Sequence, residues 1–265
     1  MNLWTQKSID LAAQSNYLDQ LYRIYPMSVN LRRELAEQTK KDICTHLENK
    51  DGKKLLEILL KQEIFPIKDS YVAYLKRDKT ALERNPATVS RLAGILIEMG
   101  LDEILDKTTV PKETNRQIGP LFKNWINSGA LGVPVTSNAD DFLNYQGNIV
   151  FNAGDKAMEH FAKTHLGYQH NKGLDFIAKF NQTIIIGEAK FLTDFGGHQN
   201  AQFNDALATM RAPLLASQYS VKTIAILDGV LYIAGKNKMF ADLTHFADDE
   251  VVVSSVLLRD YLFSV

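Results

Sequence analysis

Cysteine is almost absent: Cys44 is the only one in 265 residues. One thiol closes no disulfide and builds no cysteine metal site, which suits a reducing cytoplasm. No apolar run approaches the ~20 residues needed to cross a bilayer. The stretch from Met1 to Gln14 carries Asp10 and other polar residues where a signal peptide would be apolar. A cytoplasmic protein with no membrane partner is therefore expected. Neither G-x-G-x-x-G nor G-x-x-x-x-G-K-[ST] occurs, so no nucleotide cofactor is expected. Charge excess is also missing, with a formal net charge of −1. A protein that held nucleic acid by charge alone would be basic. Acidic ligands gathered in a site, with basic groups on one face, give the same balance. Hydrophobic residues make up 45% of the chain, enough to fill a core and to exclude disorder as the default. The length allows one large or two small domains.

The most informative stretch runs from Gly173 to Lys190, GLDFIAKFNQTIIIGEAK. Asp175 opens an apolar strand, Phe176 to Phe180. Asn181-Gln182 form a turn, and Thr183 to Ile186 form a second apolar strand ending in Gly187-Glu188-Ala189-Lys190. Folding that hairpin brings Asp175 near Glu188. Strand side chains alternate faces, so Glu188 and Lys190 point one way and Ala189 points into the core. Two carboxylates and an ammonium then share a small volume. Such a group can hold a hard divalent cation and handle a water beside it. The run Thr183 to Gly187 has no polar alternation, as in a strand buried on both faces. Charges directly after it sit at its mouth, where paired carboxylates repel unless a cation neutralises them.

Asp, twelve residues, then Glu-Ala-Lys on a hairpin after a helix resembles the PD-(D/E)xK nuclease superfamily, and within it the type II restriction endonucleases. Leu174 stands where the motif has its Pro, a position that varies among members. The resemblance covers roughly residues 150–235. It implies that Asp175 and Glu188 hold Mg²⁺, joined by the carbonyl of Ala189, and that Lys190 positions or activates the attacking water. In many members a Glu on the preceding helix adds to the metal site, which singles out Glu159.

The first part of the chain, to residue 110, reads as a helical region. Ser8 to Tyr25 has helical apolar spacing ended by Pro26. Ser28 is placed to cap a helix carrying Leu31, Leu35, Ile43 and Leu47. Lys53–Phe65, Asp69–Lys76, Ala87–Met99 and Leu101–Asp106 follow as further helices. Residues 111–265 are expected to form the nuclease-like domain, opening on a Pro- and Gly-rich connection. In that connection Arg116, Gln117 and Lys123 are of the kinds that meet phosphates and base edges. An amphipathic helix is predicted to start near Pro120. Past Lys190, the Gly196-Gly197 turn is followed by His198, Gln199, Asn200, Gln202 and Asn204, whose amides suit bidentate contacts to adenine. A second hairpin is predicted over Thr223 to Ala234, turning at Asp228-Gly229. A last strand, Val251 to Val253, precedes a helix.

The expected fold is thus α/β (α+β): a restriction-endonuclease-like mixed sheet flanked by helices, with a helical N-terminal region. The expected function is Mg²⁺-dependent, sequence-specific cleavage of double-stranded DNA, leaving 5′ phosphates, by a homodimer. A repair or junction-resolving nuclease of the same superfamily, and a DNA-binding module with an inactive nuclease fold, are the alternatives.

Overall fold

The structure is a computed structural model that describes residues 1–27, 32–111 and 115–265; the side chains of Asn115 and Arg116 lie outside the description. It divides into two compact units, one of residues 1–27 and 114–265, the other of residues 28–113. The division differs from the single boundary at residue 110 read from the sequence. The first 27 residues belong with the C-terminal unit, and hydrogen bonds show why.

Helix α1 spans Leu3–Ala12, with the Asn2 side chain accepting from the Trp4 N–H at its start. Helix α2 spans Tyr17–Ile24. Ser8 to Tyr25 is therefore two helices, broken at residues 13–16, where a single one was predicted. On α1, Thr5 and Ser8 are buried. Their hydroxyls accept from the N–H groups of Val252, at 3.2 Å, and Ser254, at 2.9 Å. These donors lie in the outermost strand and just past its end, and a helix that satisfies them closes an edge otherwise open to pairing.

The unit of residues 28–113 is helical. Its elements are α3 (Glu37–Glu48), α4 (Gly52–Leu60), α5 (Val72–Arg77), α6 (Ala81–Arg84) and α7 (Pro86–Thr108). Ile43, Leu55, Leu56, Leu59, Leu92, Leu96 and Ile104 form its core. Gly100, at φ +73°, interrupts α7, so the two stretches predicted over 87–99 and 101–106 are one kinked element. Ser28 and Leu31 lie outside the described residues, and the helix predicted there begins at Glu37.

The larger unit continues with α8 (Asn115–Asn127), β1 (Val135–Thr136), α9 (Ala139–Asn144), β2 (Ile149–Phe151) and α10 (Asp155–His165). Then come β3 (Phe176–Phe180), β4 (Thr183–Leu192), α11 (Gly197–Met210) and β5 (Ser220–Gly229). Helix α12 (Lys238–Leu243), β6 (Val251–Val253) and α13 (Leu258–Ser264) complete it. Helix α8 begins five residues before Pro120, which lies inside it. The six strands form one mixed sheet in the order β1-β2-β3-β4-β5-β6. The β2–β3 and β3–β4 pairs are antiparallel; the other three are parallel.

Strand β4 is the axis of this sheet. Ile184 and Ile186 pack on one face with Met158 and Phe161 of α10. Ile185 packs on the other with Phe203 and Ala206 of α11. Gly187 packs tightly against β5: a Cβ there would lie 3.0 Å from the backbone oxygen of Ile224, so the neighbouring strand would have to give by a few tenths of an ångström. The β3–β4 turn has Asn181 and Gln182 at φ 48° and 71°, the left-handed pair that tight two-residue hairpins need.

The second predicted hairpin does not form. β5 runs through Asp228 to Gly229 and leads into a single 3₁₀ turn, Val230–Tyr232. Asp228 is fully buried and does not act as a turn residue. Its carboxylate accepts from Ser254 Oγ at 2.6 Å, Ser255 Oγ at 2.5 Å and Tyr25 OH at 3.0 Å, and more loosely from Tyr17 OH at 3.3 Å. Burial pushes the Asp228 carboxyl up, against the lowering effect of these donors. The network ties α2 to the ends of β5 and β6.

Candidate functional site

Hairpin register brings the chemistry together. Asp175 lies one residue before β3, and its N–H donates to the carbonyl of Gly187 at 3.2 Å. That bond extends the β3–β4 ladder, in which Phe176 faces Gly187, and sets Asp175 beside Glu188. The Asp175 Oδ2 accepts from the Ala189 N–H at 3.0 Å and from Lys190 Nζ at 3.2 Å. Lys190 Nζ is also 2.7 Å from Glu188 Oε1. Glu188 and Lys190 thus share a strand face, while Ala189 packs against the core on the other side.

Glu188 is 2% exposed. Its Oε2 accepts from the hydroxyl of Thr209, on α11, at 2.8 Å. Its Oε1 faces two ammonium groups, Lys190 and, at 2.8 Å, Lys172. Lys172 is also 3.1 Å from Asp205 Oδ2. Burial raises the pKa of Asp175, outweighing the Lys190 ammonium beside it. For Lys190, burial works the other way, but Asp175 and Glu188 prevail and hold the ammonium above its ordinary range.

The donor set fits a hard divalent cation. Both hydrogen bonds to the Asp175 carboxylate fall on Oδ2, which leaves Oδ1 without a hydrogen-bond partner among the described residues. Asp175, Glu188 and Asp205 bring three negative charges against the two positive charges of Lys172 and Lys190. Carboxylate oxygens are the ligands such ions prefer. Among the described residues, no three or more His, Cys, Asp or Glu side chains are grouped so as to hold a metal ion. Glu159 is correspondingly engaged elsewhere: it pairs with Lys163 at 2.6 Å, one turn along α10.

A family match stands beside this geometry. The sequence matches the family described as Tsp45I type II restriction enzyme over residues 2–265. The chain belongs to the Tsp45I type II restriction enzyme family. Membership identifies a sequence-specific restriction endonuclease, a site-specific deoxyribonuclease that binds DNA. Type II restriction enzymes generally use a divalent metal ion. The six-stranded mixed sheet with flanking helices agrees with a restriction-enzyme-like fold. No curated protein and no solved structure matches the chain. Among the described residues of this Tsp45I family member, no helix is long and apolar enough to cross a membrane.

The residues expected to meet DNA fare unequally. Gln199 is 2% exposed, and its Oε1 accepts from the Thr193 N–H at 3.2 Å. It is a buried brace between α11 and the end of β4. Asn200 folds back to donate to the carbonyls of Phe195 and Gly196 at 2.8 and 3.2 Å. Lys123 pairs with Asp155 and donates to the carbonyl of Ala153. His198 and Asn204 are exposed, and Gln202, half-buried, bonds to the His198 ring at 3.0 Å. Gln117 is half-buried on α8. The side chain of Arg116 lies outside the described residues.

Gln199→Ala should lower stability by about 1–2 kcal/mol, the range for a lost, partly shielded hydrogen bond. Affinities for specific and random duplex should then fall in parallel, as thermal melting and gel-shift titration would show. A selective loss of specific binding at unchanged stability would make Gln199 a base contact instead.

Sequence reading missed Lys172, Asp205 and Thr209. Lys172 is on an irregular loop with no periodicity to mark it. Asp205 and Thr209 are four apart on α11 and so share a helix face, but only the tertiary fold aims that face at Glu188.

Proposed function

We propose that Asp175, Glu188 and Lys190 form a PD-(D/E)xK hydrolytic site that works with Mg²⁺ on double-stranded DNA. The observation that carries this reading is the single ammonium of Lys190 spanning both carboxylates, 3.2 Å from Asp175 Oδ2 and 2.7 Å from Glu188 Oε1. Asp175 and Glu188 would hold the cation, with the carbonyl of Ala189 as a further oxygen donor. When bound, the cation supplies positive charge against the non-bridging phosphate oxygens. Lys190 donates hydrogen bonds that orient the attacking water and stabilise charge developing at phosphorus. In-line attack expels the 3′ oxygen and leaves a 5′ phosphate. A cytoplasmic homodimer would match a palindromic site, as two-fold proteins do. His198, Gln202, Asn204, Asn200, Gln117, Lys123 and Arg116 remain the proposed DNA-facing groups, with the exposed His198 and Asn204 best placed among those described.

Glu159 is an auxiliary ligand at most in this scheme. Glu159→Gln should slow cleavage far less than Glu188→Gln, compared as single-turnover rates. Equal losses with folding intact would make Glu159 a principal ligand. The reading as a whole is tested by digesting a plasmid of known sequence with Mg²⁺ and sequencing the ends by run-off. A fixed fragment set with 5′ phosphates is expected. Cleavage that persists in EDTA, or ends scattered over the plasmid, would contradict it.

A further inference from the structure

Lys172 has an arrangement that the hydrolytic scheme does not need. Its ammonium nitrogen is shielded from solvent and makes no regular hydrogen bond among the described residues. It is nevertheless 2.8 Å from Glu188 Oε1 and 3.1 Å from Asp205 Oδ2. The attraction is therefore charge without directional bonding, divided between two carboxylates. One of them is buried in the site, and the other, Asp205, has a side chain 61% exposed.

Lys190 differs, since it makes a regular hydrogen bond to Asp175 from the middle of the sheet. Lys172 extends from the loop between α10 and β3, three residues before Asp175. Lys163 braces that loop by donating to Asn171 Oδ1 at 2.7 Å. The loop is tied at Asn171, and the lysine head lies between two carboxylates.

We propose that Lys172 is a placeholder cation: it neutralises Glu188 before metal entry and moves onto Asp205 when a divalent cation takes the Glu188 oxygen. The proposal rests on the reading of Asp175 and Glu188 as metal ligands. Buried carboxylates this close repel unless a positive charge stands between them. An ammonium that leaves by a short swing supplies that charge without permanently blocking the ligand. Lys172 is thus a positioning residue that sets the affinity of the site for its ion.

The test is Mn²⁺ binding to the whole chain without DNA, read from the electron paramagnetic resonance signal of free Mn²⁺. Lys172→Met should tighten binding by about tenfold, within the span of ordinary coupling between ligands. Lys172→Arg should stay near wild type. Asp205→Asn should weaken binding several-fold, because the displaced lysine loses its second anchor, and should do much less in the Lys172→Met background. Unchanged or weaker binding by folded Lys172→Met would overturn the proposal. So would an Asp205→Asn effect of equal size in both backgrounds, and, should Lys172→Met fail to fold, unchanged or tighter Mn²⁺ binding by Asp205→Asn alone would overturn it. Asp175→Asn separates the two levels of argument. If it abolishes Mn²⁺ binding while Lys172→Met changes nothing, only the placeholder role falls. If it leaves Mn²⁺ binding intact, the metal-site reading falls with it.

Discussion

Asp175→Ala is expected to abolish cleavage while leaving duplex binding largely intact. Asp175 contributes a carboxylate with one oxygen unpartnered among the described residues, a hydrogen bond from the Ala189 N–H and the anchor of Lys190. Its removal strips a proposed ligand and unfastens the lysine in one step. A loss of at least about 10³ in single-turnover rate follows if both functions go, since one electrostatic stabiliser alone is worth about 10²–10³. Affinity for DNA should hold, because it comes mainly from phosphate and base contacts. Glu188→Ala should silence the enzyme equally but is the less clean variant. Glu188 is buried with Lys172, Lys190 and Thr209 on its oxygens. Deleting one partner of a buried ion pair costs about 3–5 kcal/mol, so its melting temperature should drop where that of Asp175→Ala drops less. Near wild-type cutting by either variant would remove the site assignment.

Lys190→Ala should slow cleavage by about 10²–10³, the loss that follows removal of one transition-state stabiliser. The ammonium bridges both carboxylates, so its deletion also leaves Lys172 as the one cation on Glu188 Oε1 among the described residues. Lys190→Arg should rescue poorly, because a planar guanidinium carries its charge and donors in a different shape from a compact ammonium. Duplex binding in Ca²⁺ should survive in both variants. Single-turnover rates within a few-fold of wild type, at matched DNA occupancy, would reduce Lys190 to a surface charge.

What could be read from the sequence was local. The β3–β4 hairpin brings Asp175, Glu188 and Lys190 together across a two-residue turn, and strand alternation alone puts Glu188 and Lys190 on one face. A buried apolar run with charges at its mouth is visible to anyone counting residues. What stayed hidden depended on distant partners. Asp228-Gly229 has the composition of a hairpin turn, yet Asp228 is held by Ser254, Ser255, Tyr25 and Tyr17, none of them near it in sequence. Helix α1 has the spacing of an ordinary scaffold helix, but Thr5 and Ser8 serve the β6 edge. Gln199 has the side chain of a base reader and the burial of a brace. Strands β1 and β2 lie within and just past the stretch read as a connection. The residues that surround Glu188, namely Lys172, Asp205 and Thr209, come from a loop and a helix on opposite sides of the hairpin in sequence.

In the proposed mechanism the paired charges at the mouth of the β3–β4 hairpin perform the cleavage. Its most direct test keeps shape and changes charge. Wild type and Asp175→Asn would be compared in single-turnover cleavage of the cognate duplex with Mg²⁺, at DNA occupancies matched in Ca²⁺. A fall in rate of at least about 10³, with affinity and melting temperature near wild type, is the result expected. A rate within a few-fold of wild type under those conditions would place the chemistry elsewhere in the chain.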